Sequence, residues 1–113
     1  KLAEHPRIAG CKDVTPSLVR ALDFSTADRR ALNFSYLHGS DQIALSTELG
    51  ADGFVSALSN ALPELAVATW SAAPTGGAER AFRLQGQFLP CARTKGGCPR
   101  HARPDPALQP STT

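Results

Sequence analysis

Methionine is absent from this 113-residue chain, and aromatic side chains are few, with one Trp, one Tyr and five Phe. The missing methionine, with Lys1 as the first residue, gives the expectation that the chain is a piece of a longer product. No apolar run approaches the ~18 residues that a membrane-spanning helix needs, and no charged stretch followed by an apolar one opens the chain. A soluble, cytoplasmic protein is expected, with no membrane partner. Neither G-x-G-x-x-G nor G-x-x-x-x-G-K-[ST] occurs, which removes the commonest phosphate-cradling loops. Cys11, Cys91 and Cys98 are odd in number and never spaced C-x-x-C. A zinc site from Cys91, Cys98 and His101 would need ligands at poor spacing. Reduced thiols are expected, with no metal and no cofactor.

What is present suits one folded unit. Hydrophobic residues make up 42% and charged residues 19%, near globular averages, and the length allows a single core. The net charge of +2 is uneven: Arg93, Lys95, Arg100 and Arg103 against Asp105 place the positive excess after Pro90 and leave the body slightly acidic. No nucleic-acid surface is expected on the folded part.

The order of elements reads as strand and helix repeated. Arg7 to Val14 has strand character, with Ile8, Gly10 and Lys12 on one face and Ala9, Cys11 and Asp13 on the other; apolar residues on both faces suit a strand covered on both sides. Thr15 is placed to cap a helix with Pro16 at its first position. A second strand is expected from Leu32 to His38. Gly39-Ser40-Asp41 then turns into a helix through Leu49, which Gly50 stops. A third strand, Gly53 to Ser59, precedes a helix opened by Pro63-Glu64. Pro74-Thr75-Gly76-Gly77 should break that helix, and Ala78 to Leu89 form another. Crossovers of this length imply parallel strands joined right-handedly, hence an α/β chain. From Pro90 on, the hydrophobic period is lost and five of the nine prolines collect. A disordered tail over 90–113 is expected.

Parallel α/β units gather functional groups at the carboxyl ends of their strands. Three such ends occur here: Lys12-Asp13, His38-Gly39-Ser40, and Val55-Ser56 with Asn60 beyond. A lysine amine that burial keeps uncharged attacks ketone carbonyls and forms a Schiff base, whose protonated imine draws electrons from the adjacent bond. The plain alternative is that Lys12 faces solvent, paired with Asp13, and takes no part in chemistry. Spacing does not decide between them. His38 is read as a partly exposed strand-end residue without a role, and Ser40 and Asp41 as caps.

The segments "GCKDVT" and "LHGSDQIALSTELGADGFVSALSNALPEL" resemble the C-terminal portion of the dihydrodipicolinate synthase and N-acetylneuraminate lyase family. The resemblance runs from about Leu2 to Phe88 and rests on three segments in matching order. It implies the last three βα units of a (β/α)8 TIM barrel, an incomplete barrel over residues 1–89 followed by the tail, since a whole barrel takes ~200 to 250 residues. It also implies a lyase or aldolase that holds pyruvate or a related small-molecule 2-oxo acid, in a parent that is a homo-oligomer. Lys12 would be the imine-forming residue. Gly39 would end the seventh barrel strand beside the substrate, Val55 would offer a backbone carbonyl near the keto acid, and Asn60 would match the asparagine that follows. Pro16 departs from the glycine usual in the family. The family's proton-relaying tyrosine and carboxylate-gripping threonine have no counterpart here, so the isolated piece is expected to be inactive. "GADGFVSALSN" leans toward the synthase-like group. The competing readings are a small stand-alone α/β binding module and a remnant without catalysis.

Overall fold

The computed structural model describes residues 2–26 and 33–93; the tail expected to be disordered over 90–113 lies outside them from residue 94 on, but its start is folded, with Pro90, Cys91 and Ala92 in a short helix and Cys91 buried. Three strands, β1 (Gly10–Asp13), β2 (Ser35–His38) and β3 (Gly53–Phe54), form a parallel sheet in the order β1-β2-β3. Lys12 lies opposite Leu37, and Leu37 opposite Gly53. Helices follow each strand: α1 (Leu18–Thr26), α2 (Ile43–Glu48), α3 (Pro63–Gly86) and the short α4 (Leu89–Ala92). The expected parallel α/β arrangement is therefore present. Among the described residues no helix is long and apolar enough to cross a membrane.

The boundaries differ from the sequence reading for local reasons. Thr15 does not cap α1. Its N–H and its hydroxyl both go to Asp13 Oδ1, at 3.2 and 2.7 Å, and the helix starts three residues later, where Ser17 Oγ accepts the Arg20 N–H and Ser17 O accepts the first helical bond from Ala21. The third strand stops at Phe54 because Asp41 Oδ1 takes the Ser56 hydroxyl (2.6 Å) and the Leu58 N–H (3.1 Å), drawing the chain into a 3-10 turn over Leu58–Asn60. Asp41 thus ties two loops together instead of capping α2. Gly50 does stop α2, at φ 68°, a left-handed conformation that costs glycine little. The helix from Pro63 runs past Pro74 and breaks at Gly77, where φ 77° and ψ 167° admit only glycine comfortably.

Only one face of the sheet is packed. Tyr36 and His38 on β2 and Asp13 on β1 are buried beneath the helices. Phe24 of α1 stacks on Tyr36 with ring centroids 4.7 Å apart, and Phe54 meets Trp70 of α3 at 5.3 Å. The core continues through Ile43 and Ala44 of α2 into Leu65, Ala81, Leu84 and Phe88. On the opposite face Lys12 and Ser35 are exposed, and Val14 and Val55 are 63% and 42% exposed. The expectation of cover on both sides fails here: alternation places the helices on the Tyr36 face alone. Of the thiols, Cys11 forms no disulfide, whereas Cys91, expected to be reduced, is disulfide-bonded.

A contact between distant elements fixes the start of α2. No side chain caps it from its own N-cap. Instead Gln85, from the far end of α3, accepts the Ala44 N–H at 3.0 Å and donates to Asp41 O at 2.7 Å. Gln85→Ala leaves both groups without these partners and is expected to cost about 1–3 kcal/mol, measured as a lower urea midpoint. Gln85→Glu restores the acceptor alone and should fall between the two.

Candidate functional site

The carboxyl ends of the strands bring three of the four expected residues onto one face. Ladder hydrogen bonds continue beyond the strands, Gly39 N–H to Asp13 O at 2.7 Å and Val55 N–H to His38 O at 3.0 Å. Gly39 therefore sits between the chain segments that carry Val14 and Val55. The Lys12 side chain crosses directly over Gly39: a Cβ at that position would lie 2.7 Å from Lys12 Cε and collide with Val14 Cγ1. A side chain at position 39 would occupy the path of the lysine stem, so here the glycine provides space, not turn geometry. Lys12 lies on the uncovered face, opposite Leu37 of β2. Asn60 is not shown to join them. It is exposed, and its amide donates to Ala57 O at 3.2 Å, closing its own 3-10 turn.

Asp13 is held away from Lys12 by other partners. Its Oδ2 pairs with Arg20 Nε at 3.1 Å while Oδ1 receives both Thr15 donors. Burial pushes the Asp13 carboxyl up, but the Thr15 hydroxyl and N–H and the Arg20 guanidinium outweigh it, and the net pKa is lowered from the usual 3.8. A carboxylate with a depressed folded pKa contributes stability that is complete above its unfolded value and disappears as pH falls through the folded one. The stability difference between the wild type and Asp13→Asn is therefore expected to be constant above pH 3.8 and to shrink below it. Denaturant midpoints taken across that range check it; a difference that grows as the pH drops would contradict the assignment.

His38 is not a half-exposed end residue. It is 7% exposed, with Nδ1 2.7 Å from Ser46 Oγ. The Ser46 hydroxyl also lies 2.9 Å from Gln42 O, so it bridges the ring to the first turn of α2. The ring lies under α2, tilted against Tyr36 at 6.2 Å. Beside it a cleft of about 260 Å³ opens between α1 and α2. Lys12 does not line it, but Val14 and Gly39 do. Sequence reasoning missed this cleft and the roles of Asp41, Arg20 and Gln85. Among the described residues no group of three or more His, Cys, Asp or Glu could hold a metal.

A sequence model of the dihydrodipicolinate synthetase family matches residues 1–95. The chain belongs to that family. It is similar to the 4-hydroxy-tetrahydrodipicolinate synthase of Gluconobacter oxydans, 37% identical over 93 residues, covering 80% of this chain and 30% of the relative. Among solved structures it resembles dihydrodipicolinate synthase from Bacteroides thetaiotaomicron, with a TM-score of 0.73 and 33% identity over 88% of this chain and 34% of that one. It also resembles a variant of the Sulfolobus solfataricus 2-keto-3-deoxygluconate aldolase, with a TM-score of 0.63 and 31% identity over 74% of this chain and 28% of the other. The chain thus spans about a third of the length of the family members it matches.

Proposed function

We propose that this chain forms the last three βα units of a (β/α)8 barrel lyase, with a folded unit over residues 1–89 that α4 extends to Ala92 and a tail beyond it, and that Lys12 forms a Schiff base with pyruvate or a related 2-oxo acid. The carrying observation is the passage of the Lys12 stem over Gly39, at the strand ends where such barrels gather their chemistry. In this reading the Lys12 amine adds to the ketone carbonyl and water leaves. In cleavage the protonated imine at C2 takes up the electron pair of the C3–C4 bond, which breaks to leave an enamine on Lys12 and release C4 as an aldehyde; in condensation C3 loses a proton, the enamine attacks an aldehyde carbon to form that bond, and water then frees the amine. Gly39 keeps the approach clear. Val55 presents backbone to the bound keto acid, and Asn60 lies on the loop behind it.

The isolated chain leaves Lys12 in water on an open face, and activity belongs to the assembled barrel, whose remaining units would wall the amine in. The whole protein acts on a small 2-oxo acid, as a cytoplasmic homo-oligomer. The test joins this chain behind the upstream units of the Gluconobacter oxydans synthase. Pyruvate followed by borohydride should leave a reduced adduct that peptide mapping places on Lys12, with Lys1 and Lys95 as internal controls. An unlabelled protein, or label spread evenly over the three lysines, would sink the reading.

A further inference from the structure

We propose that the cleft between the end of α2 and the middle of α3 binds a primary ammonium carried on a short aliphatic stem, with Glu48 as its countercharge. The site shares no lining residue with the cleft beside His38. It lies towards the amino ends of the strands, away from Lys12, where the chain leaves α2 for β3. It therefore does not depend on the Schiff-base reading.

Three observations lead to it. First, a cleft of about 340 Å³ opens between Thr47, Glu48 and Ala51 on one side and Trp70, Ala73 and Pro74 of α3 on the other, a volume at the lower end of the range of ligand sites. Second, Glu48 is exposed, and among the described residues no ion pair or hydrogen bond occupies its carboxylate. It is the last residue of α2, where the final carbonyls already carry partial negative charge and a carboxylate is unfavourable. Helix stability does not account for it there, and a bound cation would relieve the repulsion. Third, Trp70 is only half-buried: its ring meets Phe54, and with Ala51, Ala73 and Pro74 it gives the cleft an apolar wall.

The chemical class follows from the lining. Among the described residues no lysine, arginine or histidine lines the cleft, and Glu48 is its one charged group, so an anion is repelled and a cation is held. Thr47 spends its hydroxyl proton on Ala44 O at 2.7 Å and offers a ligand only an acceptor. An ammonium, with three N–H donors and no acceptor, matches a carboxylate and a hydroxyl oxygen. The apolar wall takes the stem, and the volume keeps it short.

Butylammonium chloride, titrated into the 113-residue chain at constant ionic strength, tests this, because Trp70 is the one tryptophan and its emission reports on the cleft directly. The expected result is a saturable change in that emission. 1-Butanol, which keeps the stem without the charge, should bind about threefold more weakly, the scale of one exposed ion pair, and butyrate should give no saturable change. Glu48→Gln should bring the ammonium down to the affinity of the alcohol and leave the alcohol unchanged. Glu64→Gln, an equal loss of charge outside the lining, should alter neither. Equal affinity for ammonium and alcohol on the wild type, no saturable change, a Glu48→Gln protein that holds the ammonium as tightly as the wild type, or an equal loss in both variants would each overturn the proposal.

Discussion

Replacing Tyr36 with alanine is expected to abolish cooperative unfolding of this chain. Tyr36 is fully buried at the centre of the middle strand, stacked on Phe24 and tilted against His38. Removing a large buried aromatic costs about 3–5 kcal/mol through lost transfer energy and the cavity left behind, and the stacked pair adds roughly 0.5–1.5 kcal/mol to what is lost. A small domain has only about 5–15 kcal/mol of stability in total. This one leaves a sheet face uncovered, with Val14 and Val55 in water, and starts from the low end. Circular dichroism during a urea titration should show a gradual drift for Tyr36→Ala in place of a sigmoid. Tyr36→Phe keeps the stack and should retain the sigmoid. An alanine variant that melts like the wild type would mean that α1 does not dock on β2 through Phe24.

The features legible in the sequence are those that depend on near neighbours. Strand and helix alternate because short apolar runs alternate with helical periodicity. Gly50 and Pro63 act where a left-handed stop and a first-turn proline act in any helix. Lys12, Gly39 and Val55 could be aligned in advance because parallel strands present their carboxyl ends at one edge. The features that were not legible depend on contacts across the fold. Thr15 has the makings of a cap, but its hydroxyl and N–H close a turn on the Asp13 carboxylate, and the helix begins three residues further on. Gln85 reaches α2 from 41 residues away, and nothing in its neighbours marks it. His38 reads as an end residue only while α2 is missing; once Ser46 lies above it, the ring is enclosed. Val55 followed by Ser56 looks like a continuing strand until Asp41 takes the Ser56 hydroxyl.

In the completed barrel, Lys12→Ala is expected to lower kcat by a factor on the order of 10³ or more, the scale on which losing a covalent nucleophile acts, and to remove the borohydride-trapped adduct. The comparison that separates the roles open to this side chain is with Lys12→Arg. If the positive charge at this position only steers the carboxylate of a 2-oxo acid, arginine preserves the charge and should preserve much of the rate, with the change confined to KM. If the nitrogen attacks the carbonyl, arginine is as inactive as alanine, because a guanidinium keeps its proton at any accessible pH and offers no lone pair. Gly39→Ala provides an independent check, since its Cβ would fall in the path of the Lys12 stem. It should reduce kcat and the yield of trapped adduct together, because a displaced nucleophile loses rate steeply, and lower the urea midpoint as well, because the same Cβ collides with Val14 Cγ1. A Gly39→Ala protein with full activity would show that the lysine does not need the route over that residue, and the geometric ground for assigning it the chemistry would be gone.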